Sequence, residues 1–148
     1  MRLHLRTKCL RFTYTFQSGY QVQGRLEGDY FRPSPDMIFN LRSLNAVCLT
    51  PQGAPLMYCN EVFGQLRLAS PEVILSGSQS LSRSHMPSFF SLNYRDEEAT
   101  IYDSQTDQWL ATGWSPESWE VMDETSASVI KRHASVVVPT GWSRRAIA

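Results

Sequence analysis

The sequence lacks any long apolar run, and no stretch approaches the roughly 20 residues that a membrane-spanning helix needs. It lacks net charge, because 14 Lys and Arg balance 14 Asp and Glu, and this balance argues against a nucleic-acid partner. It has only three cysteines, and an odd count makes a poor disulfide framework. With 148 residues, of which 42% are hydrophobic, the chain can still build one folded domain around its own core.

The amino-terminal residues contain no secretory signal. Charged side chains interrupt every apolar pair among residues 1–11, so no hydrophobic segment of the required length forms. The sequence as it stands therefore predicts a cytoplasmic protein without a membrane span.

A period of two dominates the first 26 residues. Phe12, Tyr14 and Phe16 alternate with polar residues, and Tyr20 and Val22 continue the pattern after a loop at residues 17–19. A three-residue loop that ends in glycine is typical of a β-hairpin with a bulge. In the resulting register Phe16 faces Tyr20 and Tyr14 faces Val22. We expect this face to be core rather than a platform for nucleic-acid bases.

Short strand-like segments follow one another along the rest of the chain. We predict them at residues 37–41, 44–49, 62–68, 73–75, 89–94, 99–103, 108–112, 118–122 and around 128–138. Residues 28–35 are predicted as loop, because Pro33 and Pro35 argue against a central strand. The pattern indicates an all-β protein, a single antiparallel β-sandwich or β-barrel of about ten short strands. The domain is predicted to cover residues 1–138, and residues 139–148 to be a flexible tail.

Two of the cysteines lie symmetrically about a turn. Cys48 and Cys59 are equidistant from the centre of the segment Gly53-Ala54, so a hairpin centred there places the thiols opposite each other. The pair either forms a disulfide or consists of two reduced thiols packed as small apolar groups.

Charge is distributed unevenly. The first 25 residues contain basic but no acidic side chains, whereas residues 93–124 contain nine acids and one arginine. We expect the basic end to pair with the acidic region across neighbouring strands; the alternative is an acidic face that binds a partner.

No catalytic or metal-binding motif is present. His4, His85 and His133 are isolated in the sequence, and no paired-cysteine or paired-histidine spacing occurs. The acids from Asp96 to Asp107 suit exposed turns. We therefore expect no metal, no cofactor and no catalytic residue.

Tryptophan is concentrated late in the chain, and sheet-face aromatics can bind sugars or apolar ligands. A symmetric turn at residues 104–107 places Tyr102 opposite Trp109. We expect Trp109 to pack in the core and Trp114 and Trp142 to be exposed. The candidate ligand-binding residues are Trp114, Trp142, Trp109 and Tyr102.

Three stretches of the chain resemble a known group of β-domains. They are the segment Phe12-Thr13-Tyr14-Thr15-Phe16-Gln17-Ser18-Gly19 with Val22, Gly24 and Gly28, then residues 39–44, then residues 114–121. Together they resemble the β-rich domains of bacterial PEP-CTERM surface-sorted proteins and related cyanobacterial proteins, over roughly residues 10–122. The resemblance implies a β-rich fold and no catalytic residues. A surface location would require the leader and the Pro-Glu-Pro anchor of those proteins, and this sequence displays neither.

The sequence leaves three functions open. The first is a non-enzymatic binding or interaction domain, which meets an unknown protein or small ligand through a sheet face and could form a homodimer through edge strands. The second is a small β-barrel that binds an apolar or carbohydrate ligand. The third is a hydrolase that uses His85 or carboxylates between Asp96 and Asp107.

Overall fold

A computed structural model describes residues 5–80 and 86–125. The described chain contains ten strands and one short 3-10 helix, and every strand pairing in it is antiparallel. The strands are β1 (Leu5–Thr15), β2 (Gln21–Phe31), β3 (Ser34–Leu49), β4 (Pro55–Cys59), β5 (Glu61–Arg67), β6 (Val73–Ser78), β7 (Phe89–Asn93), β8 (Glu98–Asp103), β9 (Gln108–Thr112) and β10 (Trp119–Asp123). The 3-10 helix is Pro116–Ser118. The all-β prediction is confirmed.

The strands form one curled sheet in the order β10-β1-β2-β3-β5-β6-β7-β8-β9, and β4 pairs with β3 beside this path. The concave face is filled by one continuous cluster of buried side chains that draws on all ten strands. No helix in residues 5–80 and 86–125 is long and apolar enough to cross a membrane. The predicted strand around residues 128–138 and the predicted tail lie outside the described residues.

The predicted β1–β2 hairpin is confirmed. Tyr14 lies opposite Val22, and the amide of Phe16 donates a hydrogen bond to the carbonyl of Tyr20 at 2.8 Å. Gly19 closes the loop with φ +100°, in the left-handed region that glycine adopts without strain. Phe12, Tyr14 and Phe16 are at most 2% exposed, so they are core residues, as expected.

β3 differs from the prediction in two ways. The segments predicted as two strands belong to one 16-residue strand, Ser34–Leu49. The predicted loop at residues 28–35 is wrong as well, because β2 continues to Phe31 and β3 begins at Ser34, which leaves only a tight turn. Asn40 and Ser43 have positive φ values of 53° and 56°, and the pairing with β2 shifts register around them. These bulges bend β3, so its first part pairs with β5 and its last part with β4.

The predicted opposition of Cys48 and Cys59 is also wrong. Cys48 lies opposite Met57, and Cys59 lies opposite Ala46. The loop is closed by a hydrogen bond from the Thr50 amide to the Ala54 carbonyl at 2.9 Å, and a register shift follows Cys48. The pairing is thereby centred one residue earlier than expected. Both thiols are free and buried, and a hydrogen bond with Cys59, together with burial, raises the pKa of Cys48.

The basic amino-terminal region does pair with the acidic region. Lys8 Nζ lies 2.8 Å from Asp123 Oδ2, and Arg11 Nε lies 3.1 Å from Glu124 Oε2. Arg25, which lies opposite Arg11 on β2, is 3.5 Å from the other oxygen of Glu124. Glu124 is only 5% exposed, so its carboxylate lies buried beside two guanidinium groups. The expected cross-strand charge pairing is confirmed for this end of the chain.

A buried tyrosine joins β1 to the segment that connects β9 with β10. The Tyr14 hydroxyl donates to the Gly113 carbonyl at 2.8 Å and accepts from the Ser115 amide at 2.8 Å. Burial raises the pKa of this hydroxyl, because the charged form would lose its hydration. The connection therefore depends on the neutral phenol acting as both donor and acceptor.

Replacing Tyr14 by Phe is expected to lower the free energy of unfolding by about 1–3 kcal/mol, because two backbone groups lose their partner in a buried place. Urea denaturation measures the change. Tyr102→Phe is the matched control, since its hydroxyl bonds an exposed carboxylate of Asp107, and its expected loss is clearly smaller. Equal losses for the two variants would show that Tyr14 does not hold this connection.

Candidate functional site

The convex face of β7, β8 and β9 carries three neighbouring aromatic side chains. Phe90, Ile101 and Ala111 fill the concave side, where they are at most 4% exposed. The side chains on the opposite face form a line across the strands, since Phe89 pairs with Tyr102 and Tyr102 pairs with Trp109. We call this line, Phe89, Tyr102 and Trp109, the aromatic row.

The rings of the aromatic row contact one another. The Tyr102 and Trp109 centroids are 4.8 Å apart, and those of Phe89 and Tyr102 are 5.4 Å apart. Phe89 and Trp109 meet edge to face at 5.9 Å. Ring contacts of this kind hold the side chains in place. Trp109 remains 59% exposed, so the row presents a supported indole surface to solvent.

A row of hydroxyl side chains runs beside the aromatic row. Ser76 pairs with Ser91, Ser91 with Thr100, and Thr100 with Thr112, which carries the line across β6, β7, β8 and β9. The hydroxyl oxygens of Ser76 and Ser91 are 3.5 Å apart. We call these four residues the hydroxyl row. Each hydroxyl can both donate and accept a hydrogen bond.

The two rows border a surface groove with a volume of about 490 Å³, which we call the outer groove. Phe89 and Trp109 line one side, and Ser91, Thr100 and Thr112 contribute hydroxyls. Glu97 and Glu98 add carboxylates at the β7–β8 turn. The groove therefore offers apolar ring surface, neutral hydroxyls and acceptor oxygens together.

The turn after β8 braces the aromatic row. The Tyr102 hydroxyl donates a hydrogen bond to Asp107, and this bond raises the pKa of Tyr102. Asp103 accepts from the Gln105 amide at 3.0 Å and from the Thr106 hydroxyl at 3.1 Å. Both carboxylates are thus engaged within the turn, as expected for the acids of this region.

The structure brings two of the four predicted ligand-binding residues together. Tyr102 lies opposite Trp109, as predicted. The expectation that Trp109 packs in the core is wrong, because a register shift between Ile101 and Tyr102 reverses the face on which it lies. The shift pairs Ile101 with Ala111 and leaves Leu110 without an opposite residue.

The two tryptophans predicted to be exposed have different outcomes. Trp114 is half-buried and stacks on Tyr14 at 5.4 Å with an interplanar angle of 7°, so the prediction of an exposed side chain is wrong for it. It lines a separate groove of about 370 Å³, which shares Thr112 and Gly113 with the outer groove. Trp142 lies outside the described residues.

His4, His85 and His133 all lie outside the described residues. Within residues 5–80 and 86–125, no group of three or more His, Cys, Asp or Glu side chains is arranged to hold a metal ion. Asp96 accepts a hydrogen bond from the Asn93 side chain at 3.0 Å in the exposed β7–β8 turn.

Comparison of the chain with protein-family models, with curated proteins and with solved structures finds no match. The candidate site is therefore defined by its own geometry.

Sequence reasoning missed Phe89 and the hydroxyl row. The strand register contained a signal for Phe89, because the predicted pairing of Tyr102 with Trp109 can be continued from β8 to the neighbouring strand β7, which carries Phe89. The strands predicted at residues 89–94 and 99–103 place the turn between them at residues 95–98, which is one residue too late, since Glu98 already belongs to β8 and pairs with Asn93. Glu97 adopts φ 54° in this turn, and because glutamate rarely has a positive φ, its presence in the sequence does not predict this conformation.

Proposed function

We propose that this chain is a non-enzymatic binding domain and that the outer groove binds a carbohydrate. The observation that carries the proposal is the exposed, braced Trp109 beside a row of hydroxyl side chains. A sugar ring has an apolar face that packs on an indole and hydroxyls at its edge that exchange hydrogen bonds with serine and threonine. An apolar ligand alone would leave the hydroxyl row without a role.

The location of the grooves favours the convex face over the mouth of a barrel. The concave face is filled by large side chains, among them Phe12, Phe16 and Phe90, each at most 2% exposed. We also infer a partly open barrel rather than a sandwich, because β3 pairs within both halves of the sheet and Tyr14 bonds the segment after β9. In either arrangement the aromatic row faces outward.

The proposal predicts that Trp109→Ala weakens oligosaccharide binding at least tenfold, which corresponds to about 1.4 kcal/mol. Calorimetric titration with hexamers of β-1,4-linked glucose, mannose, xylose and N-acetylglucosamine, and with the α-1,4-linked glucose hexamer, measures the affinity. Trp109→Phe, which keeps an aromatic face, should retain most of it. Met122→Ala is the matched control on β10, because Met122 is 55% exposed and lies outside the groove.

Two results would refute this function. If the chain binds none of the hexamers at millimolar concentration, the proposal that its ligand is a carbohydrate is refuted. If the Trp109→Ala variant binds as tightly as the unaltered chain, the proposal that the outer groove is the binding site is refuted. Chromatography of each hexamer after prolonged incubation tests the non-enzymatic part, since shortened products would indicate a hydrolase.

Two sequence predictions stay predictions. One is the resemblance to the β-rich domains of PEP-CTERM proteins, and the other is a homodimer through edge strands. Among the described strands, β9 and β10 end the sheet path and β4 pairs only with β3, so a dimer through edge strands would use one of these three. Sedimentation of the unliganded chain measures that association.

A further inference from the structure

The outer groove continues into a second groove on the same convex face. This second groove has a volume of about 250 Å³, is lined by Phe63 and Met86, and shares Phe89 with the outer groove. Phe63 on β5 is 78% exposed, and Met86 is 64% exposed. Together these two side chains give the second groove an apolar wall that is open to solvent.

The hydroxyl row leads directly to Phe63. Phe63 pairs with Ser76, the first member of that row, so one line of outward side chains crosses β5 to β9 without interruption. The line begins at the Phe63 ring, continues through four hydroxyls and ends at Thr112 beside Trp109. Each end of the hydroxyl row therefore has an exposed aromatic platform.

The dimensions of this line match a short chain of sugars. Five adjacent strands span four gaps of about 4.8 Å, or about 19 Å in total. One sugar unit of an extended, equatorially linked chain is comparable in length to one such gap. The line thus accommodates about four sugar units running across the strands.

Charge indicates which chains fit. The described residues that line the two grooves include the acids Glu61, Glu97 and Glu98, and neither lysine nor arginine is among them. A polyanionic chain would be repelled, whereas the hydroxyls of a neutral chain can donate to these carboxylates.

We propose that β5 to β9 form one continuous track for a neutral, extended saccharide chain of about four units, with Phe63 and Trp109 as its two end platforms. This inference rests on the proposed carbohydrate-binding function and adds the length, direction and charge of the ligand. Phe89 contacts the chain where the two grooves meet.

The test is a length series. Gluco-oligosaccharides and manno-oligosaccharides with β-1,4 linkages and two to six units are titrated into the full chain by calorimetry. Affinity is expected to rise at least tenfold from the dimer to the tetramer and to stay level beyond it. Phe63→Ala should abolish this rise and Phe63→Tyr should keep it, while Met122→Ala should match the unaltered chain at every length. An anionic tetramer of galacturonic acid should bind at least tenfold more weakly at low salt.

The outcomes separate the track from the function on which it rests. If dimer and tetramer bind equally, or if Phe63→Ala leaves the rise intact, the track is refuted while Trp109-dependent binding keeps the function. Tighter binding of the anionic tetramer would refute the neutral ligand. If none of these oligosaccharides binds, the track is refuted, and the hexamer titrations described above decide the function on which it rests.

Discussion

Phe12→Ala is expected to lower the free energy of unfolding by about 3–5 kcal/mol, the range for truncating a large buried aromatic side chain. Phe12 is 1% exposed, and its ring lies 5.7 Å from Trp119 and 6.1 Å from Phe90. It joins β1 to β10 on one side and to β7 across the concave face. Gly24 lies opposite on β2, and a methyl group there would come within 2.7 Å of the Phe12 ring.

Truncation at Phe12 therefore removes the side chain that fills the space beside Gly24, and a cavity remains because neighbouring strands relax only in part. The melting temperature should fall by about 10 °C or more for a domain of this size. Phe63→Ala is the matched control, because it removes the same atoms from a residue that is 78% exposed. Similar losses for both variants, measured by calorimetry, would contradict the packing described here.

Gly64→Ala is expected to cost about 3 kcal/mol or more, because a methyl group at this position overlaps backbone and adds to an unfavourable conformation. Gly64 has φ +137° and lies opposite Leu75 in the β5–β6 ladder. A Cβ there would collide with the carbonyl oxygen of Ile74, which cannot move aside as a side-chain end could. The two strands would have to separate.

Gly53→Ala separates the collision from the backbone strain. Gly53 also has a positive φ, +83°, but a Cβ there meets nothing within 4 Å. Its expected cost is about 1–2 kcal/mol, the strain of a non-glycine residue in the left-handed region. Urea denaturation compares the two variants. If Gly53→Ala costs as much as Gly64→Ala, the close approach of β5 to β6 at Gly64 is not what limits stability.

The predicted hairpins were right where the turn residues carry a conformational signal. Gly19 marks the β1–β2 turn, and the pairing of Tyr14 with Val22 follows from it. The β8–β9 turn is rich in residues that cap their own backbone, such as Asp103, and the pairing of Tyr102 with Trp109 was predictable.

The predictions failed where a bulge adds a residue to one strand of a pair, and at Asn40, Ser43 and Glu97, which adopt positive φ. Asn40 and Ser43 bend β3, although the sequence reads there as two separate strands. Leu110 is the extra residue that turns Trp109 outward, although Trp109 and Ala111 have the spacing of residues on one face. Bulges follow from the fit of neighbouring strands, which no local pattern records.

By itself, the sequence determined the class of fold, the burial of Phe12, Tyr14 and Phe16, and the Tyr102–Trp109 pair, because alternation and turn chemistry act over a few residues. The tertiary structure alone decided that β3 serves both halves of the sheet and that aromatic and hydroxyl rows share the convex face. A hydrophobic pattern with a period of two shows only that alternate side chains lie on opposite faces of the sheet. Which face is covered depends on how the whole sheet curls, and that curvature arises from contacts between strands distant in the chain.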